Sequence, residues 1–160
     1  MTIKTAIQSA QDRLVAMVPL MITDVASTEV YKNRNVATQT NQPYAEVYLN
    51  NLRQVSEVND DYFRHEAEFY IDVYLAPYGA GAEGEYTQAI SREHMPDASI
   101  YLLEHRNLHY EAGQAQIAGV SADDNRVGTL TRISSEGMIG FRTPFTVVLE
   151  YHELVNEFPI

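Results

Sequence analysis

Strict alternation of apolar and polar side chains over residues 66–76 is the feature of this sequence that most constrains its fold. The apolar positions are Ala67, Phe69, Ile71, Val73 and Leu75. The positions between them hold Glu66, Glu68, Tyr70, Asp72 and Tyr74. Because successive side chains of a β-strand point to opposite faces, this period of two predicts a strand in a sheet that is buried on one side only. The other side is acidic and aromatic and is expected to face water or a protein neighbour.

A second alternating stretch lies near the end of the chain. One side is mostly apolar and consists of Ile139, Phe141, Thr143, Phe145, Val147, Leu149 and Tyr151. The other side holds Arg142, Thr146, Glu150 and His152. Pro144 has no N–H to donate, so it is expected at a sheet edge or at a bulge. Shorter strands are predicted at 44–49, 114–120 and 127–133. Residues 55–58 either continue the first of these or pair with it around a turn at Asn50-Asn51.

Helical periodicity occurs in two regions. In the first, apolar residues recur at steps of four and three: Ile3, Ile7, Ala10, Leu14 and Met17. This spacing predicts an amphipathic helix from Ile3 to Val18, which Pro19 is expected to end. The second region predicts a short helix over 86–93, a stop at Pro96-Asp97 and a further helix over 98–107. Its core-facing residues are expected to be Ile100, Leu102 and Leu103.

These elements predict one domain over residues 1–160 with an α+β, α/β sandwich-like fold. We expect one mixed, mostly antiparallel sheet with helices packed on one face. Residues 23–43 are rich in Asn, Thr and Gln and show no sustained apolar period, which favours a long polar loop or arm. Such segments often bind a partner. Lys32 and Arg34 make a small basic spot there.

Composition excludes several classes of function. The 160 residues include 11 Lys and Arg against 22 Asp and Glu, a net charge of −11. Specific nucleic-acid binding and adhesion to an anionic membrane both need a basic surface, so neither is expected. With no cysteine, the chain has no disulfide, thiolate zinc site or Cys nucleophile. No secretory signal or membrane-spanning stretch is recognisable, which favours a soluble protein made inside the cell.

Motifs for catalysis and cofactor binding are not found. His105 and His109 have the spacing of a helical metal pair, but the residues between them do not match the His-Glu-x-x-His pattern. The glycine-rich segment 79–84 lacks the Gly-Lys-Ser/Thr ending of a phosphate-binding loop. Paired carboxylates remain possible, since their spacing is set in space rather than along the chain. We therefore expect a protein that is not an enzyme and has no cofactor or metal.

Tyrosine is the dominant aromatic residue, with 11 copies and no tryptophan. Tyr70, Tyr74 and Tyr78 lie on predicted solvent faces, as do Tyr44 and Tyr48. Tyrosine suits a surface that packs against another protein while its hydroxyl stays hydrated, although scattered surface tyrosines are the alternative. The resulting interface candidates are Lys32, Arg34, Tyr70, Asp72, Tyr74 and Tyr78.

The order of these elements resembles that of a known family. An N-terminal helix over 3–18 is followed by a polar loop into Pro43–Leu49, a one-sided strand, a flexible loop over 78–85 and a central helical region. The chain closes with the stretch Gly140–Tyr151. This order is similar to that of the small tail-terminator and tail-completion (neck) proteins of tailed bacteriophages and phage-tail-like particles.

The resemblance implies a structural virion protein with no catalytic residues. Such a domain forms a homo-oligomeric ring, commonly a hexamer, that caps the tail tube and joins it to the neck. The implied partners are copies of itself and the tail-tube and neck or connector proteins, with DNA able to pass through the ring. The implied location is the tail or neck of the virion, after synthesis in the host cytoplasm. Two alternatives are another head–tail connector or neck completion protein, and a small α+β enzyme or ligand-binding domain without a recognisable site.

Overall fold

The computed structural model describes residues 3–32, 42–59, 62–77, 89–105, 130–135 and 137–151. The helices in this part of the chain are α1 (Ile3–Met21) and α2 (Met95–Glu104), and a π-helical turn (Ile90–His94) leads into α2. Its strands are β1 (Val30–Tyr31), β2 (Tyr44–Asn59), β3 (Tyr62–Pro77), β4 (Thr131–Ser135) and β5 (Met138–Tyr151). They form one sheet in the order β1-β2-β3-β5-β4. Only β1 and β2 pair in parallel among these neighbours, so the predicted α+β class with a mixed, mostly antiparallel sheet is confirmed.

The main core lies between the helices and one face of the sheet. On α1, the buried side chains follow the predicted helical spacing and include Ala10 and Leu14. On β3, the apolar positions of the alternating stretch are buried with them: Ala67, Phe69, Ile71 and Val73. The alternate residues of β5 from Phe141 to Val147 complete this layer. The period of two therefore predicted which face of the sheet packs against the helices.

Helix α1 continues past the predicted end at Val18. Pro19 lies inside it, and the helix ends at Met21. A proline removes one backbone donor and its ring crowds the preceding turn, so it usually kinks or ends a helix. Val18 and Met21 are both buried in the core, and the N–H of Ile22 donates to the carbonyl of Val18 at 2.8 Å. Packing of this last turn outweighs the local preference of the proline.

Strand β2 runs through Asn50-Asn51 without a turn. The pairing with β3 shifts by one residue between Leu49 and Asn51 and then continues toward Asn59, which is paired with Tyr62. A β-bulge of this kind absorbs one extra residue and bends the strand. The prediction of a turn at this point was therefore wrong, and the alternative of a continuous strand is confirmed.

Part of the predicted loop over 23–43 is regular structure. A 3₁₀ turn (Ser27–Glu29) leads into β1, which pairs in parallel with β2 through Val30 and Ala45. The side-chain amide of Gln11 on α1 donates to the carbonyls of Lys32 and Val47 at 2.9 and 2.8 Å. This amide ties the edge of the sheet to the helix. Two residues are too few for a visible period, which is why the sequence did not reveal β1.

Helix α2 starts earlier than predicted and includes Pro96 in its first turn. Proline is well tolerated at that position, where no intrahelical donor is needed. Ala98 and Leu102, four residues apart, are buried, whereas Ile100 and Leu103 are exposed. The expectation that Ile100 and Leu103 contribute to the core was therefore wrong, because their face of the helix points away from it.

Among the described residues, Pro144 has a strand neighbour on one side only, which agrees with the predicted edge position. It is opposite Tyr70 of β3, and the pairing of β5 with β4 reaches only as far as Arg142. Beyond Arg142, β5 has no second neighbour among the described residues. The predicted strand at 114–120, the loop over 78–85 and His109 lie outside the described residues. Within the part of the chain that is described, no helix has the length and apolar character required to cross a membrane.

Candidate functional site

The polar residues of three neighbouring strands meet on the outer face of the sheet, defined here as the face opposite the main core. The strand register places Tyr48 of β2 opposite Tyr70 of β3, and Asp72 of β3 opposite Arg142 of β5. Directly opposed residues on adjacent strands have neighbouring side chains. The register thus builds one cluster from residues that are far apart in the sequence.

Asp72 lies at the base of this cluster and is only 1% exposed. Arg142 binds its carboxylate in bidentate fashion, with Nε donating to Oδ1 at 2.7 Å and Nη2 donating to Oδ2 at 3.0 Å. The hydroxyl of Tyr48 also donates to Oδ2, at 3.0 Å. A buried carboxylate is stable only when it is paired and hydrogen-bonded in this way. Asp72 therefore lies on the predicted side of β3, but it is buried there and not exposed to water or to a protein neighbour as expected.

Arg142 connects the buried carboxylate to the surface. Its guanidinium carbon lies 4.5 Å from the ring centroid of Tyr70, and its Nη2 donates to the hydroxyl of Tyr48 at 3.2 Å. The rings of Tyr48 and Tyr70 pack edge to face at 5.9 Å. The hydrogen bond to Asp72 raises the pKa of Arg142 further above its ordinary value, so the side chain stays cationic. We call the half-buried residues Tyr48, Tyr70 and Arg142 the Tyr–Arg platform.

A second cluster on the outer face contains the other tyrosines. The rings of Tyr44 and Tyr74 stack at 4.8 Å, and Tyr31 contacts Tyr44 edge-on at 6.4 Å. Met138 is buried against them, and Ile133 packs on the same group. Tyr44 is 0% and Tyr74 is 4% exposed, so the prediction that both face solvent was wrong. Alternation indicates which face a side chain occupies, but not whether neighbours on that face cover it.

The predicted interface residues do not form a single surface. Tyr70 belongs to the platform, Asp72 lies beneath it, and Tyr74 lies in the second cluster. Lys32 is elsewhere, in an exposed ion pair with Asp12 of α1. Arg34 and Tyr78 lie outside the described residues. Along β3, the three candidates on the polar side of the alternating stretch therefore share one face of the sheet but belong to two separate clusters.

Arg142 is the member of the site that sequence reasoning missed. The sequence placed it on the polar side of the closing strand, but did not show that it meets Asp72, which is 70 positions away in the chain. The available signal was a cation on the polar side of one alternating strand and a carboxylate on the polar side of another. Only the register between β3 and β5 shows that these two residues pair.

The cluster is poorly suited to acid–base catalysis or metal binding. Glu46 is opposite Asp72 in the register and is also buried, so the sheet does bring two carboxylates together. However, Arg142 and Tyr48 already engage both oxygens of Asp72. Among the described residues, no group of three or more His, Asp or Glu side chains is arranged to hold a metal ion.

The histidines in the described helical region have local contacts. Nε2 of His94 lies 3.7 Å from Oδ2 of Asp24. Nδ1 of His105 lies 2.9 Å from the carbonyl oxygen of Tyr101, and the two rings stack at 4.1 Å. Both histidines are therefore in contact with neighbouring residues of the same chain.

No family model and no curated protein matches this chain. The geometry of the site therefore supplies the functional evidence. An aromatic pair and a cation are held by a buried carboxylate at the surface of the sheet, and Tyr and Arg are residue types enriched at protein interfaces.

Proposed function

We propose that this chain is a structural assembly protein that works as a closed homo-oligomeric ring in the manner of a phage tail terminator, capping the tail tube and joining it to the neck. The Tyr–Arg platform is the observation that carries this proposal. Tyrosine and arginine are enriched among the residues that contribute most to the stability of protein interfaces.

The platform is held by contacts within a single chain. Asp72 holds Arg142 through two hydrogen bonds, and Tyr48 is bonded to both residues. Side chains that are already immobilised lose little conformational entropy on association, so more of the contact energy is available for binding. This preorganisation favours a lasting structural interface.

Fold and charge are compatible with the ring. An α+β domain with its helices against one face of a mixed sheet has the architecture that the resemblance implies. A ring forms when one patch of a subunit contacts a different patch on the next, and the rotation closes. A second copy carries 22 acidic residues, which offers many carboxylates that Arg142 and the tyrosine hydroxyls could contact. Net negative charge would also keep DNA from adhering during passage.

The ring is tested by sedimentation velocity and electron microscopy of the purified chain over a range of concentrations. We expect closed particles, of six copies if the likeness to the terminator family extends to copy number. The double variant Tyr48→Ser/Tyr70→Ser is expected to dissociate the ring and to keep the circular dichroism of the wild type, with a lower free energy of unfolding because Asp72 loses the hydrogen bond from Tyr48. A matched control, Ile100→Ser/Leu103→Ser, removes two exposed apolar side chains from α2 and should leave the ring intact. A wild-type chain that sediments as a monomer at every concentration would contradict the proposal.

A further inference from the structure

A groove of about 380 Å³ lies between the C-terminal end of α1 and one face of α2. Leu20 lines it from α1, and Ile100 and Tyr101 line it from α2. Leu20 is 64% and Ile100 is 56% exposed. Burial of large apolar side chains is favourable, so two of them side by side in a concave surface indicate a contact site.

The rim of this groove is acidic. Glu93, Asp97 and Glu104 contribute carboxylates to it, and His94 is the one lining residue of the described chain with a basic side chain. Along α2, the lining residues Asp97, Ile100, Tyr101 and Glu104 recur at steps of three, one and three. This spacing places apolar and acidic side chains on the same stripe of the helix. A partner that fills the groove therefore needs apolar side chains flanked by positive charge.

We propose that this acidic apolar groove binds an amphipathic helix of a partner protein, with apolar side chains on one face and Lys or Arg on either side of them. The end of α1 and one face of α2 form the groove, and a third helix laid into it would bury Leu20 and Ile100. Charge complementarity selects a basic segment over a second copy of this chain, whose net charge is −11. The proposal is independent of the ring, because it concerns the helical layer and not the outer face of the sheet.

Binding is measured by titration calorimetry and by amide shifts of the full-length chain with three synthetic peptides. The first is a helical peptide of Leu and Lys with leucines at positions i, i+3, i+4 and i+7. The second replaces each Lys by Glu, and the third scrambles the first so that no apolar face forms. We expect the first peptide to bind and to shift the amides of residues 20–23 and 93–104. The other two should bind far more weakly.

Groove variants and matched controls separate this site from general attraction to an acidic protein. Leu20→Ser/Ile100→Ser and Asp97→Asn/Glu104→Gln should each weaken binding of the Leu–Lys peptide by about tenfold or more, which is the size of effect expected for central contact residues. Leu49→Ser/Leu52→Ser removes two exposed leucines of β2, and Glu66→Gln/Glu68→Gln removes two charges of β3. Both controls should bind within about twofold of the wild type.

Four results would overturn the proposal. Equal binding to all variants, or equal binding of the scrambled peptide, would show diffuse electrostatic attraction. Tight binding of the Leu–Glu peptide would show that the acidic rim has no selective role. Loss of self-association in Leu20→Ser/Ile100→Ser would identify a second copy as the occupant. Tyr48→Ser/Tyr70→Ser is expected to bind the Leu–Lys peptide normally, so failure of the ring proposal and failure of this one can be told apart.

Discussion

The ion pair of Asp72 and Arg142 joins β3 to β5 on the outer face of the sheet. Replacing Asp72 by Asn leaves the half-buried Arg142 without its carboxylate. Loss of one partner from a buried ion pair costs about 3–5 kcal/mol, and the partial exposure of Arg142 places the expected loss near the lower value. The measurement is the free energy of unfolding in urea. As a control, Glu66→Gln breaks the exposed pair with Arg53 and should cost at most about 1 kcal/mol. Equal losses for both variants would contradict the role assigned to Asp72.

Thr143 offers a stabilising substitution. It is fully buried on the core side of β5, and its hydroxyl oxygen has no hydrogen-bond partner among the described residues. A buried polar group without a partner costs about 1–3 kcal/mol, and valine has nearly the same shape without that group. Thr143→Val is therefore expected to raise the free energy of unfolding and the melting temperature. A lower melting temperature for Thr143→Val than for the wild type would show that the hydroxyl is bonded.

His65 gives stability a dependence on pH. Burial lowers its pKa below the ordinary value, because the charged imidazolium loses hydration in the folded state. The unfolded chain thus binds the proton more readily than the folded chain. The contribution of His65 is fully present above its unfolded pKa of about 6.5 and is lost as pH falls through the lowered folded value. We expect the melting temperature to fall between about pH 7.5 and 5.5, and to fall less in His65→Gln. If the melting temperatures of the two proteins change equally with pH, His65 is not the source of the pH dependence.

At the scale of one strand, the two faces of β3 should respond differently to substitution. Ile71 lies in the main core, and Ile71→Ala is expected to cost about 2–5 kcal/mol of unfolding free energy. Tyr70 is half-buried on the platform, so Tyr70→Ser should affect assembly more than folding. Tyr74→Ser is expected to destabilise the domain, because Tyr74 is packed in the second cluster. Denaturation and sedimentation of the three variants test this order. A strong folding defect from Tyr70→Ser with a silent Ile71→Ala would contradict the register.

Element prediction from the sequence succeeded where the pattern was long. The alternating stretches of β3 and β5 indicated their strands and their core faces, because the apolar–polar alternation repeats several times in each. Local signals failed where packing opposed them, as at Pro19 inside α1 and at Asn50-Asn51 inside β2. The strand β1 was missed because its two residues show no period and are paired with a distant segment.

At the scale of the whole molecule, the candidate site was only partly predictable. Tyr70 and Asp72 could be selected because both lie on the polar side of one strong alternation. The burial of Asp72 and Tyr74 could not be predicted, since it depends on side chains from β2 and β5 that the register brings onto the same face. Arg142 was missed for the same reason. The site is a property of the three strands together, and no single segment contains it.

The net charge of the chain predicts how its assembly depends on salt concentration. Each copy carries −11, so the copies in the proposed ring would repel one another over distances well beyond their contacts. Salt screens this repulsion, with a Debye length of about 30 Å at 0.01 M and about 8 Å at 0.15 M. The Tyr–Arg platform is less sensitive, because its ion pair is partly buried and its aromatic contacts do not depend on ionic strength. The oligomeric fraction measured by mass photometry is therefore expected to increase as sodium chloride is added at constant protein concentration. The Asp97→Asn/Glu104→Gln variant, with two charges fewer on each copy, should need less salt to reach the same fraction. A decrease with salt would instead show that exposed pairs of opposite charge hold the copies together, and the platform would then not be the main contact.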